Sequence, residues 1–182
     1  MIIALTGTPG TGKSSICSYL HTKFEIIDLN MYIKKEGLHF GQDEPGGSLI
    51  ADMDAVQSRM DELLKNNTVT VIIEGHLSHY LKGTDAVIVL RTRPAILTQR
   101  LRARGYLPEK INENIEAEAL DVILIESVER HQKVFEVETS TTTPKEASQV
   151  IHPLVLQLEA GNMVSLNEYL PGRFDWSEEV FL

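Results

Sequence analysis

The run Gly7-Thr8-Pro9-Gly10-Thr11-Gly12-Lys13-Ser14 constrains the fold more than any other stretch of the chain. It fits G-x-x-x-x-G-K-[ST] at every fixed position, a pattern that works mechanically only between a strand and a helix. Both flanks are present. Ile2–Leu5 is a continuous apolar run, as a strand buried on both faces requires. From Lys13 onward Ile16, Leu20 and Phe24 fall on one helical stripe, with Cys17 beside it. Glycines permit a tight loop whose N–H groups point inward at an anion, and the following helix N-terminus adds free donors and partial positive charge. Lys13 can reach β- and γ-phosphates, the Ser14 hydroxyl can ligate Mg²⁺, and Ser15 can add a phosphate contact. The loop therefore predicts a nucleoside triphosphate, without saying what is done with it.

Further along, apolar runs alternate with helical periodicity. Phe24–Ile27, Val69–Ile73, Ala86–Leu90 and Val134–Glu138 are strand candidates. Met53, Val56, Met60 and Leu63 predict a helix over Asp52–Lys65, and Pro94 opens another through about Ala103. Ile111, Ile115, Ala119 and Val122 begin a long helix. Thr143-Pro144-Lys145-Glu146 has the capping-box pattern, and the helix it opens runs toward Gly161 with a kink expected near Pro153. Gln42–Ser48 reads as a mobile loop by composition, and the tail from Asn162 shows no assignable pattern. Strands alternating with helices predict a three-layer α/β P-loop NTPase fold, with a mostly parallel five-stranded sheet and helices on both faces. At 182 residues the chain is one domain, 1–182, and its one cysteine excludes an intrachain disulfide. No apolar run nears the roughly 20 residues of a membrane span, and no basic stretch precedes an apolar core at the N-terminus, so a cytoplasmic protein is expected.

The net charge of −9 argues against a direct nucleic-acid site and permits a basic protein partner. Within that acidic chain, residues 91–110 hold six bases and one acid. Arg100 and Arg104 are four apart and share a helix face, and Arg104 sits at the break before Gly105, where a flap can hinge. Arg91 and Arg93 follow the fourth strand and are expected to face the crevice, whereas Arg102 is expected in solvent. The third strand ends in Glu74-Gly75-His76, at the edge where ligands bind in such sheets. Glu74 can hold Mg²⁺ and orient an attacking group, and His76 can position a water or a phosphate. His79 is expected to be structural.

These residues resemble the adenylate kinase isoenzyme six family. The resemblance rests on Thr6–Ser15, Ile50–Val56, Val71–His76, Val89–Thr92 and Arg100–Glu118, colinear from position 2 to about 150. It implies a short-lidded P-loop kinase that moves the γ-phosphoryl group of ATP to AMP or a related nucleoside monophosphate and also hydrolyses ATP. Gly10, Gly12, Lys13, Ser14 and Ser15 would hold the ATP phosphates. Residues of about 28–51 would form the monophosphate-binding part, and those of about 103–113 the lid, with Arg104 on ATP; from the helical spacing alone, Arg104 first and then Arg100 are expected to bind the phosphates. Lys13, Glu74, His76 and Arg104 would be catalytic, with Ser14 and Glu74 at Mg²⁺. Family members also act in small-ribosomal-subunit maturation, which implies a basic small-subunit ribosomal protein and pre-ribosomal particles as partners. Two departures stand out: Glu74 replaces the family's usual Asp, and Lys34 stands where the monophosphate helix usually has Arg. Two alternatives remain open, an ATP-driven assembly factor with incidental kinase turnover and a shikimate-type kinase acting on a small-molecule hydroxyl.

Overall fold

Five apolar runs become five parallel strands because both of their faces are covered. The structure is a computed structural model describing residues 1–42 and 49–181; most of the loop expected at 42–48 lies outside the described residues. The strands are β1 (Ile2–Thr6), β2 (Glu25–Asp28), β5 (Val71–Glu74), β6 (Ala86–Arg91) and β7 (Val134–Glu138), in sheet order β2-β5-β1-β6-β7. Between β2 and β5 a separate two-stranded antiparallel ribbon pairs β3 (His39–Gln42) with β4 (Leu49–Ala51). Successive side chains of the main sheet go to opposite faces. Ile3, Leu5, Ile72, Ile88, Leu90, Phe135 and Val137 meet α1 (Lys13–Leu20) and α7 (Pro144–Glu159). On the other face Val71 and Ile73 meet α2 (Leu29–Glu36) and α3 (Met53–Leu64). Ala4, Val87, Val89 and Val134 meet α6 (Val122–Arg130) there. This is the three-layer arrangement predicted from the alternation.

The helix α4 (Pro94–Ala103) and the helix α5 (Pro108–Ala119) make a satellite unit, closed by Leu97, Leu101, Ile111 and Ile115. Residues 103–113, expected as a lid, comprise the turn between these helices and the start of α5.

Two expectations change. The α1 stripe ends at Leu20; Phe24 is buried, but just ahead of β2. The long helix from Ile111 breaks into α5 and α6 at Asp121, which takes a left-handed φ of 56°. A short polar side chain tolerates that conformation, and the Arg91 guanidinium holds the Asp121 carboxylate there. The α7 helix runs unbroken through Pro153, and its N-terminus carries the expected box, Glu146 N–H to Thr143 Oγ1 at 3.2 Å and Thr143 N–H to Glu146 at 2.7 Å. The tail does have a place: a 3₁₀ turn at Val164–Tyr169 buries Leu166, and Trp176 is buried 5.0 Å over the Arg91 guanidinium. The helix α8 (Glu178–Phe181) packs on α5.

Candidate active site

The parallel pairing sets the ends of β1 and β5 side by side, with Leu5 opposite Glu74, so the loop after β1 and the acid ending β5 open into one crevice. Gly7 and Gly10 are fixed by close approach. A Cβ at Gly7, whose φ is 136°, would lie 2.5 Å from Leu90 O; one at Gly10, whose φ is 99°, would lie 2.7 Å from Leu97. The loop thus rests on α4 through Gly10. Gly12, at φ 103°, caps α1, whose first turn is Lys13-Ser14-Ser15.

Lys13 is buried, its ammonium donating to Gly7 O at 2.6 Å and Thr8 O at 3.1 Å. Burial lowers its pKa to about 8, against the opposing pull of Glu74 and Glu118. The triphosphate's own oxygens are the acceptors that would draw this ammonium off the loop carbonyls. Glu74 is 3 % exposed, and burial pushes its carboxyl above the usual range while a hydrogen bond from the Ser14 hydroxyl pulls the other way. His76 lies beside them, lowered to about 4 by burial and by the Lys13 charge, so its imidazole is neutral at neutral pH. A buried carboxylate bridged to a hydroxyl at the crevice mouth is an all-oxygen donor pair that suits a hard cation such as Mg²⁺; Ser14 and Glu74 fit that role.

Two cavities flank the loop. One, of about 140 Å³, is lined by Gly10, Gly12, Ser15, Arg100, Arg104 and the 139–147 segment. The other, of about 220 Å³, is lined by Lys13, Ser14, Asn30, Glu74, His76, Arg104, Tyr106, Lys110 and Asn114. Gly10, Gly12 and Arg104 belong to both, so Lys13, Ser14 and Glu74 open into one cavity and Ser15 and Arg100 into the other. Of the predicted site residues, Gly10, Gly12, Lys13, Ser14, Ser15, Glu74, His76, Arg100 and Arg104 are brought to this crevice, whereas Lys34 lines neither cavity. Arg100 is half-buried, donating to Thr139 O at 2.5 Å. Arg104 is exposed at the end of α4.

Two arginines go elsewhere. Arg91 turns into the protein, 1 % exposed, with Glu118 and Glu136 each at 3.0 Å and Asp121 beside it. Arg93 is exposed and pairs with Glu179 at 3.0 Å. Their place after β6 suggested the crevice, but three acids from distant parts of the chain capture Arg91. His79 is structural, as expected: it is buried, with Nδ1 at 3.1 Å from Thr6 Oγ1 and Nε2 at 2.9 Å from Glu126.

Residue-by-residue reading missed Asn30, Tyr106, Thr139 and Thr142 at the cavities and Glu118 behind the loop. Asn114 and Glu118 carried one signal: in an amphipathic helix they are polar residues on the buried stripe of α5. Among the described residues, Thr142 Oγ1, in the wall of the smaller cavity, is the buried side-chain oxygen with no hydrogen-bond partner.

Comparison with known proteins agrees with this geometry. Residues 3–121 match the model of the AAA domain family. Over its whole length the chain is similar to archaeal proteins named "Putative adenylate kinase". The protein of Methanosarcina barkeri is 47 % identical, with 99 % of this chain and 100 % of that one covered; the protein of Archaeoglobus fulgidus is 38 % identical, with 99 % and 94 % covered. Among solved structures, shikimate kinase from Acinetobacter baumannii in complex with shikimate superposes with a TM-score of 0.61 at 16 % identity, over 86 % of this chain and 93 % of that one. Shikimate kinase from Bacteroides thetaiotaomicron does so with 0.58 at 19 % identity, over 86 % and 98 %. At such identities the likeness is one of fold, that of the P-loop kinases. The family match and the full-length identities together place the chain in the AAA domain family, among these archaeal relatives.

Proposed function

We propose that the protein is a nucleoside monophosphate kinase that transfers the γ-phosphoryl group of ATP to AMP or a related monophosphate. The observation that supports this reading best is the pair of cavities meeting at the phosphate loop, with Arg104 on their shared wall and Lys13 beside it. A hydrolase needs room for water beside the γ-phosphate; a second cavity lined by Asn30, Lys110 and Asn114 offers donors to an acceptor molecule. The donor base fits the smaller cavity, where Arg100 and Arg104 offer guanidinium planes and Thr142 Oγ1 an unused hydrogen-bonding group. The names borne by the archaeal relatives agree.

The chemistry then follows from placement. An acceptor phosphate oxygen, ionised at neutral pH, attacks the γ-phosphorus in line; the bond from that phosphorus to the β-bridging oxygen breaks, and two nucleoside diphosphates result. No general base is required, so His76, neutral, orients the acceptor by hydrogen bonding. Lys13 and Arg104 offset the charge that spreads over the transferring oxygens. Glu74 and Ser14 would hold Mg²⁺, which would supply electrostatic stabilisation of the phosphoryl charge. A coupled assay across AMP, dAMP, CMP, UMP and GMP with an ATP-only control tests the reading. ADP formation dependent on a monophosphate is expected; equal turnover in every tube would overturn it.

A second reading, drawn from the likeness to the isoenzyme six family, makes the protein an ATP-hydrolysing factor in small-subunit maturation that binds a basic ribosomal protein. A surface feature favours it: Val122, Ile125 and Val128 are exposed along α6 and Leu120 just before it, with the exposed acids Glu116 and Glu129 on α5 and α6, in a chain of net charge −9. Pull-down of such a protein, weakened by ATP, is the expected result.

A further inference from the structure

Glu118, on the last turn of α5, is 3 % exposed and touches neither cavity, yet its carboxylate reaches the phosphate loop. One oxygen accepts from the Thr92 N–H at 2.9 Å and from Arg91 Nε at 3.0 Å; the other accepts from the Thr8 hydroxyl. Thr8 is the second residue of the loop, and its carbonyl holds the Lys13 ammonium at 3.1 Å and the Thr11 N–H at 3.2 Å. One residue of the loop is therefore tied on its side-chain face to Glu118 and on its backbone face to Lys13. Charge balance alone does not account for Glu118, because Arg91 already has Glu136 and Asp121. A further carboxylate, itself buried, is costly unless its oxygens are satisfied, and here the Thr8 hydroxyl completes the set. Toward its other end α5 carries Lys110 and Asn114, in the wall of the cavity assigned to the acceptor.

We propose that Glu118 is a positioning residue for phosphoryl transfer: through the Thr8 hydroxyl it clamps the phosphate loop to the end of β6 and to α5, so that the loop and the acceptor-side wall keep one spacing. The proposal rests on the nucleotide-binding reading of the loop. It gives Glu118 no contact with substrate; its effect passes through Thr8 to the loop amides and to Lys13.

The test compares Thr8→Val, Glu118→Gln, the double variant and Thr8→Ser, with magnesium-ATP affinity from calorimetry, kinetic constants for ATP, and melting temperature. Losing a buried hydrogen bond to a charged acceptor is expected to weaken magnesium-ATP binding about tenfold in either single variant. The double variant is expected to lose no more than a single one, since both remove the same link. Thr8→Ser keeps the hydroxyl and is expected to recover most of what Thr8→Val loses. A merely structural Glu118 would lower the melting temperature while leaving ATP affinity within twofold of wild type, and that result overturns the proposal. So do losses that multiply in the double variant. If Glu118→Gln does not fold, the Thr8→Val and Thr8→Ser pair decides alone. Wild-type protein that binds ATP but shows no monophosphate-dependent turnover removes the acceptor reading and leaves the clamp to be judged on affinity. Wild-type protein that binds no ATP ends both.

Discussion

Lys13 and Glu74 are both buried in the wall of the cavity proposed for the acceptor. Lys13 spends its ammonium on two loop carbonyls, at 2.6 and 3.1 Å. Replacing it by alanine is expected to abolish monophosphate-dependent ADP formation while leaving the melting temperature close to wild type, as an activity assay beside a thermal melt will show. Glu74→Gln keeps the shape but removes the charge proposed to hold the cation, and a fall in turnover of about 10² or more is expected, with a smaller loss in ATP affinity measured by calorimetry. His79 makes a prediction about stability instead. Burial lowers its pKa below the 6.5 of a free imidazole, a shift that the Glu126 hydrogen bond only partly opposes. A group with a lowered histidine pKa stabilises the fold above the unfolded value, and that contribution is lost as pH falls through 6.5. Glu126 acts in the same sense at lower pH: burial pushes its carboxyl up, but the Tyr80 and His79 hydrogen bonds hold it below the usual range. Urea midpoints should therefore separate wild type from His79→Gln at pH 8, with the gap closing toward pH 5.5; a gap independent of pH would contradict the assignment.

Among the elements, those whose burial is decided locally were legible in the residue order, and those decided by distant partners were not. The strands β1, β5 and β6 are largely apolar on both faces, so their runs read directly as strands, and β7 reads from its alternation. Pro94 and the Thr143 box marked helix starts for the same reason: the capping chemistry lies within four residues. The break between α5 and α6 was not legible, because what holds Asp121 at a left-handed φ is Arg91, thirty positions away. The same long-range capture withdrew Arg91 from the crevice where its place after β6 had put it. The tail escaped assignment because its burial depends on distant partners, Leu166 on the core between the sheet and α7 and Trp176 on the Arg91 guanidinium. Trp176→Ala should then cost about 3–5 kcal/mol of stability, as truncating a buried tryptophan generally does. Circular dichroism in urea is the suitable probe, since Trp176 is the single tryptophan.

At the scale of the whole molecule, the parallel sheet order β2-β5-β1-β6-β7 brings the loop, the strand-end acid and the α4–α5 unit to one edge, while the opposite ends of the strands carry none of the site. Lys13, Ser14, Ser15, Glu74, His76, Arg100 and Arg104 line the cavities on that edge, because the motif and the strand ends fix their placement through the backbone. The cavity walls from Asn30, Thr139 and Thr142 depend on loop conformations that no local pattern specifies. What the fold offers is a loop with a cavity on either side, and transfer between two bound nucleotides is the chemistry that uses both. The most direct measurement follows label from ATP carrying ³²P at its γ-position, incubated with magnesium, AMP and the protein. The account predicts that the label appears in ADP at a rate that depends on AMP and is lost in Lys13→Ala. Label released only as inorganic phosphate, at the same rate with and without AMP, would contradict it.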